Sequence, residues 1–258
     1  MGVASRTVWP AGNRGRFPAA AAGALIGAVV WEVAGRSLQL PFLPPLSEAV
    51  LASSRLIGMT EVRRHLAESL VSLTLGYLLA ASLGLVLGSL MGRFRRVGYF
   101  FDLYLQVFLA SPSLIYVPVL FALFGVGRSL QMAVVFLYAF FVIVSNTMAG
   151  VRAGDGGLIE MSRSFGASQG QVFWMVTLPS ALPLILAGLR LGMARAMKGM
   201  VNGEIFVALT GLGALIRTYG GRFDAANMFG VLLLILAVAV TGVGLVQVVE
   251  RRLTGWAD

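Results

Sequence analysis

Five polar or charged residues, Arg190, Arg195, Lys198, Asn202 and Glu204, interrupt a stretch that is otherwise apolar from Leu182 to Leu209. At about 100° per residue, a helix puts Arg195, Lys198 and Asn202 on one face and Glu204 nearly opposite Arg195. Gly188, Gly192 and Gly199 share the cationic face. Two kinds of chemistry fit this pattern. In one, the face lines a solute path, the cations offset the desolvation of an anion, and the glycines leave room for it. In the other, the cations pair with acidic groups or helix C-termini, and the glycines serve helix packing across a dimer. A charge near mid-membrane costs about 2.5–3.5 kcal/mol on insertion scales, so it faces a cavity or a partner. Arg190 is nearer the end of the segment and reaches the interface by snorkelling.

Bond-making chemistry has no residues to carry it. There is no Gly-x4-Gly-Lys-Ser/Thr phosphate loop, and the sole lysine, Lys198, stands inside the apolar stretch, so ATP is bound elsewhere. No Gly-x-Ser-x-Gly motif accompanies the one histidine, His65, which lies among Arg63, Arg64 and Glu68 and reads as a surface residue. Without cysteine, disulfides and thiolate metal sites are unavailable. The chain is expected to hold no catalytic residue, no metal and no cofactor.

A second constellation is the polar stretch Gly154 to Ser180, in which Glu160, Gly166, Leu178 and Pro179 follow the order Glu-x5-Gly-x11-Leu-Pro. Gly154-Asp155-Gly156-Gly157 ends the preceding apolar segment, and Leu158 to Phe165 make about two helical turns. Gly166 supplies the backbone geometry that breaks them. Ser168 and Gln171 have the spacing of a capping box, which starts a second helix. Leu178-Pro179 is expected to end that helix, because a residue before proline is pushed out of helical geometry. Leu158, Met161, Phe165, Val172, Phe173 and Val176 are too many apolar residues for a loop surrounded by water. They cover either the protein's own helices or a soluble partner.

The elements that position these residues follow from composition. Hydrophobic residues make up 58% of 258 and charged residues 12%, against about 45–50% and about 25% in a soluble domain. The fold class is therefore an all-α polytopic membrane protein, read as a single domain over residues 1–258. Six segments approach the about 20 residues needed to span a bilayer. They run Phe17–Val33, Leu66–Met91, Tyr104–Phe124, Leu130–Val151, Leu182–Leu209 and Met228–Val249. The third bends at Ser111-Pro112-Ser113, and Pro112 and Pro118 kink it. The first lacks a small-x-small cleavage site and ends in Trp31, Glu32 and Arg36, so it reads as an uncleaved span. Ser47 is a candidate N-cap for a short interfacial helix to Ile57. Gly211-Leu212-Gly213 suits a turn before another short helix to Tyr219, as an external gate or a plain connector.

The formal charge of +9 would suggest nucleic acid in a soluble protein, but the arginines mostly flank apolar runs. They set topology and meet lipid headgroups, and no nucleic acid is expected. With both termini inside, ten basic residues fall inside and seven outside. This places the termini and the Gly154–Ser180 stretch in the cytoplasm.

The run Glu160-Met161-Ser162-Arg163-Ser164-Phe165-Gly166, followed by Val176-Thr177-Leu178-Pro179, resembles the EAA loop of permease subunits of bacterial ATP-binding-cassette importers. The family pattern is Glu-Ala-Ala-x3-Gly-x9-Ile-x-Leu-Pro. Met161 and Ser162 replace the alanines, and Val176 replaces the isoleucine. The likeness extends from about Pro41 to Arg252, through the glycines at 84, 88 and 92, Pro112 to Gly127, Asn146-Thr147-x2-Gly150-Val151-Arg152 and Gly188-Leu189-Arg190, which are similar to the sulfonate, taurine and nitrate branch.

The resemblance implies half of an importer in the bacterial plasma membrane. It implies a second permease subunit, as a homodimer, two cytoplasmic ATPase subunits that carry ATP and Mg, and an extracytoplasmic solute-binding protein. Glu160, Phe165, Gly166, Leu178 and Pro179 would then dock and couple the ATPase, with Gly166 as hinge. Arg195, Lys198 and Asn202 would line the solute path, and Gly211 and Gly213 would belong to the gate. The expected solute is a small organic or inorganic anion. The alternatives are a cationic or neutral metabolite such as a pyrimidine precursor, a self-contained secondary transporter, or a structural membrane anchor.

Overall fold

The computed structural model describes residues 16–38, 40–154, 156–207 and 210–254. Asp155, Leu209 as the expected end of the fifth span, and the orientation-setting Arg6 and Arg14 lie outside them. Among the described residues the structure is helical, with no strand. Five helices are long and apolar enough to cross a membrane: α1 (Arg16–Leu38), α3 (Thr60–Arg93), α6 (Arg128–Arg152), α9 (Leu178–Val207) and α11 (Ala225–Thr254). Between α3 and α6 stand α4 (Arg95–Ala110) and α5 (Tyr116–Phe124), bent by 95° at their junction, which make a sixth crossing if they form one broken span and a re-entrant loop if they do not. This bend is more than the kinked single span the sequence suggests. Ser111 and Pro112 are both extended, and a one-turn 3-10 segment, Ser113–Ile115, starts a new direction.

The connecting helices are α2 (Leu46–Gly58), α7 (Gly156–Ser164), α8 (Gln169–Val172) and α10 (Leu212–Gly221). Ser47 does not cap α2, contrary to expectation: Pro45 holds the cap position and contributes no side-chain bond. The cap comes from α1 instead. Glu32 Oε2 accepts from the Ser47 backbone N–H at 2.9 Å and Oε1 from its hydroxyl at 2.9 Å. Trp31 Nε1 donates to the Pro44 carbonyl at 3.1 Å, fixing the same junction.

The core is a three-helix packing of α3, α6 and α9. Glycines bring the α3 and α6 backbones together: a Cβ on Gly84 would lie 2.9 Å from Ile143, and one on Gly88 or Gly92 only 2.6 Å from the Cβ of Thr147 or Val151. Those three glycines recur every fourth residue, so one stripe of α3 is flat enough for close approach. Leu73, Tyr77, Ala80, Val135, Ala139, Ile143, Ala196 and Met200 fill the seam.

Candidate functional site

The coupling stretch folds from strong local signals. Gly166 ends the first helix at φ +83°, and the Ser168–Gln171 capping box forms in both directions: Gln171 Oε1 accepts from the Ser168 N–H at 2.8 Å and Ser168 Oγ from the Gln171 N–H at 3.4 Å. Leu178-Pro179 does not end the second helix. The chain passes through a π turn, Phe173–Thr177, straight into α9, giving one helical run from Gln169 to Phe206. Pro179 cannot donate to the carbonyl four residues back, and its ring would press on it. In the π turn the Leu178 N–H bonds the Phe173 carbonyl five residues back, and this wider turn accommodates the proline.

Here the sequence left open whether the apolar side chains cover the protein itself. Val172 is buried, but Phe165 is 84% exposed, Met175 74% and Trp174 67%. Leu158 and Met161 are exposed as well, as is Glu160. These apolar side chains of α7, of Phe165 beside Gly166 and of the π turn are left uncovered by this chain.

On α9 the glycines and the cations separate. A Cβ on Gly188 would lie 2.5 Å from Asn146 Cβ, on Gly192 2.6 Å from Ile143, and on Gly199 2.9 Å from Tyr138. These glycines seat α9 on α6; they open no space for a solute and do not reach across a dimer. Asn202 lies at the same seam, half-buried, donating from Nδ2 to the Tyr138 hydroxyl at 3.1 Å. Arg195 and Lys198 occupy the neighbouring edge, where both are exposed and, among the described residues, take part in no hydrogen bond or ion pair. Arg190 does more than snorkel: its Nη1 pairs with Glu250 of α11 at 3.1 Å.

Glu204 is the residue whose role the sequence did not give. It is fully buried, far from Arg195, beneath the start of α10. Ser69 Oγ donates to Glu204 Oε1 at 2.6 Å, the Gly213 N–H donates to Oε2 at 2.9 Å, and the Leu212 N–H donates to Ser69 Oγ at 2.9 Å. Two side chains from α3 and α9 therefore cap α10, whose own N-cap position is Gly211. Gly211, at φ +86°, and Gly213 lie against this carboxylate; a Cβ on Gly213 would meet Glu204 Cβ at 2.6 Å. The expected gate glycines are thus the buried floor of a helix cap. A second polar chain runs beside it: Ser72 Oγ donates to Gln131 Oε1 at 2.8 Å, and Gln131 Nε2 donates to Thr210 Oγ1 at 2.8 Å. Gly211 brings no side chain of its own to the cap, and here Ser69 and Glu204 supply one.

His65, expected at the surface, is half-buried with an enclosed Nδ1. Among the described residues no cluster of three His, Cys, Asp or Glu could hold a metal.

Residues 80–255 match the family described as the binding-protein-dependent transport system inner membrane component. The taurine transport system permease protein TauC of Escherichia coli is 32% identical, over 90% of this chain and 87% of its own length. The formylaminopyrimidine transport permease protein ThiX of Halalkalibacterium halodurans is 27% identical, over 88% of this chain and 91% of its own. In fold, the chain resembles the inward-facing MetNI methionine ABC transporter with a TM-score of 0.62 at 22% identity, covering 75% of this chain and 94% of that one.

Proposed function

The chain belongs to the family of inner membrane components of binding-protein-dependent transport systems, and from there we propose that it is one of two permease subunits that carry a small anion inward. It transports and catalyses no bond chemistry. A binding protein outside the membrane delivers the solute, and an ATPase pair seated on α7 and Phe165-Gly166 supplies the work. Glu160 and Phe165 contact the ATPase, and the continuous helix through Leu178 and Pro179 passes its movement to α9. The termini and the coupling end face the cytoplasm.

The observation that carries the anion reading is the exposed, unpaired edge of α9 at Arg195 and Lys198. Lipid is a poor environment for two cations, so they face a polar cavity or a second subunit. Two copies meeting along this edge enclose a path with four positive charges. The similarity to a taurine permease agrees with such a path. A second reading, the same machinery carrying a neutral or cationic metabolite, is favoured by the similarity to a formylaminopyrimidine permease.

Lys198→Met separates the roles of the charge. If Lys198 lines the path, anion uptake into vesicles falls while the melting temperature of the purified complex holds or rises, because an expensive intramembrane charge is gone. Unchanged uptake with a lower melting temperature would retire the path. That result would mean the lysine pairs with a carboxylate contributed by another subunit.

A further inference from the structure

We propose that the groove between α3 and the π turn is a binding site for one anionic phospholipid, its phosphate on Arg93 and an acyl chain running towards Leu85. The groove has a volume of about 460 Å³ and is walled by Val86 and Leu90 on one side and Phe173, Trp174 and Leu182 on the other. Arg93 is the one charged residue lining it. From Arg93 to Leu85 the α3 helix rises ~12 Å, so a cation at the membrane surface tops an apolar slot that descends into the bilayer.

Arg93 is held in place without being neutralised. Its guanidinium stacks over the Phe173 ring at 4.6 Å and approaches the Phe94 ring at 5.5 Å, and Nη2 reaches the Gln169 carbonyl at 3.5 Å. The ion pairs among the described residues involve Arg36, Arg64 and Arg190, so no carboxylate there serves Arg93. Arg95 and Arg96 follow immediately and are exposed. Three cations within four positions attract an anionic headgroup, and an exposed tryptophan beside them suits the headgroup level.

The charge and the slot together select the ligand. A soluble anion would satisfy Arg93 and leave the slot empty, whereas a zwitterionic lipid would fill the slot but set its own ammonium beside Arg93, Arg95 and Arg96. An anionic phospholipid does both. One wall of the site belongs to the helical core and the other to the turn that joins the coupling element to α9, so the bound lipid would bias the relative position of the two. This inference requires only that the chain is membrane-embedded, and is independent of which solute it carries.

The test uses the full permease–ATPase complex reconstituted in phosphatidylcholine vesicles with and without phosphatidylglycerol. After extraction, mass spectrometry of the intact complex should find one phosphatidylglycerol retained per permease chain. Arg93→Gln should lower the preference for phosphatidylglycerol over phosphatidylcholine about fivefold. Val86→Trp, which fills the slot, should abolish retention of both. A benzophenone side chain replacing Ser89, which lines the groove, should cross-link to phosphatidylglycerol. Cross-linking to a second copy of this chain or to the ATPase would overturn the proposal, as would equal retention of the two lipids by the unaltered complex. If Val86→Trp fails to assemble, the Arg93→Gln ratio and the cross-link still decide.

Discussion

The two ends of the helical run from Gln169 to Phe206 are built by opposite rules. Towards its far end, α9 is closed by its own chain: Gly192 and Gly199 lie against α6, and the Glu204 carboxylate takes bonds from Ser69 and Gly213. Towards its beginning, Phe165, Trp174 and Met175 project with no covering from the chain. A buried polar group is satisfied at once or costs stability, whereas an exposed apolar face defers its burial to another molecule. The difference separates what keeps this subunit folded from what connects it to its machine.

Substitutions at the two ends should therefore split between stability and coupling, and four of them rank by their effect on the melting of the isolated chain in detergent. Glu204→Ala should be the most damaging, by roughly 3 kcal/mol, since it leaves the Gly213 N–H orphaned and a cavity in its place. Gly88→Val should follow at roughly 2 kcal/mol, because its Cβ would press on Thr147 and on the Val144 carbonyl. Gly166→Val meets no neighbour within 4 Å, so only its φ of +83° is penalised; a loss of about 1–2 kcal/mol confined to the coupling segment is expected, with the spans intact and ATPase co-purification reduced. Phe165→Ala should leave melting within about 0.5 kcal/mol and lower ATPase affinity about tenfold or more, as truncating an aromatic anchor does. If Phe165→Ala destabilised the isolated chain as much as Glu204→Ala, the contrast between the two ends would collapse.

Legibility followed the same divide. Much of what depends on near neighbours in sequence was readable: most of the apolar spans, the αL glycine at 166, the capping box at Ser168 and the short helix after Gly211. What depends on distant residues was not. Ser47 looks like a cap, yet Glu32 caps α2 from another helix. The charged-face glycines suited either space for a solute or packing across a dimer, and only the position of α6 makes them a packing surface within the chain. Glu204 could be placed opposite Arg195 by angle alone, but its partners are Ser69, from a helix far back in the chain, and a backbone N–H in the next one. Pro179 argued for a helix end because the rule that excludes proline assumes α geometry, and five residues of π geometry remove the assumption.

That π turn also sets an angular phase. It holds one residue more than the α turn it replaces, and one residue corresponds to about 100° around a helix axis. Everything beyond Leu178 is thus rotated by that angle relative to Trp174 and Met175. Closed as an ordinary α turn, the same sequence would present the docking surface unchanged while swinging the edge bearing Arg195 and Lys198 about a quarter-turn off its bearing. The five residues Phe173–Thr177 index one surface to the other: all five wound as α would leave the two misaimed, whereas deleting one of them and closing an α turn would restore the alignment.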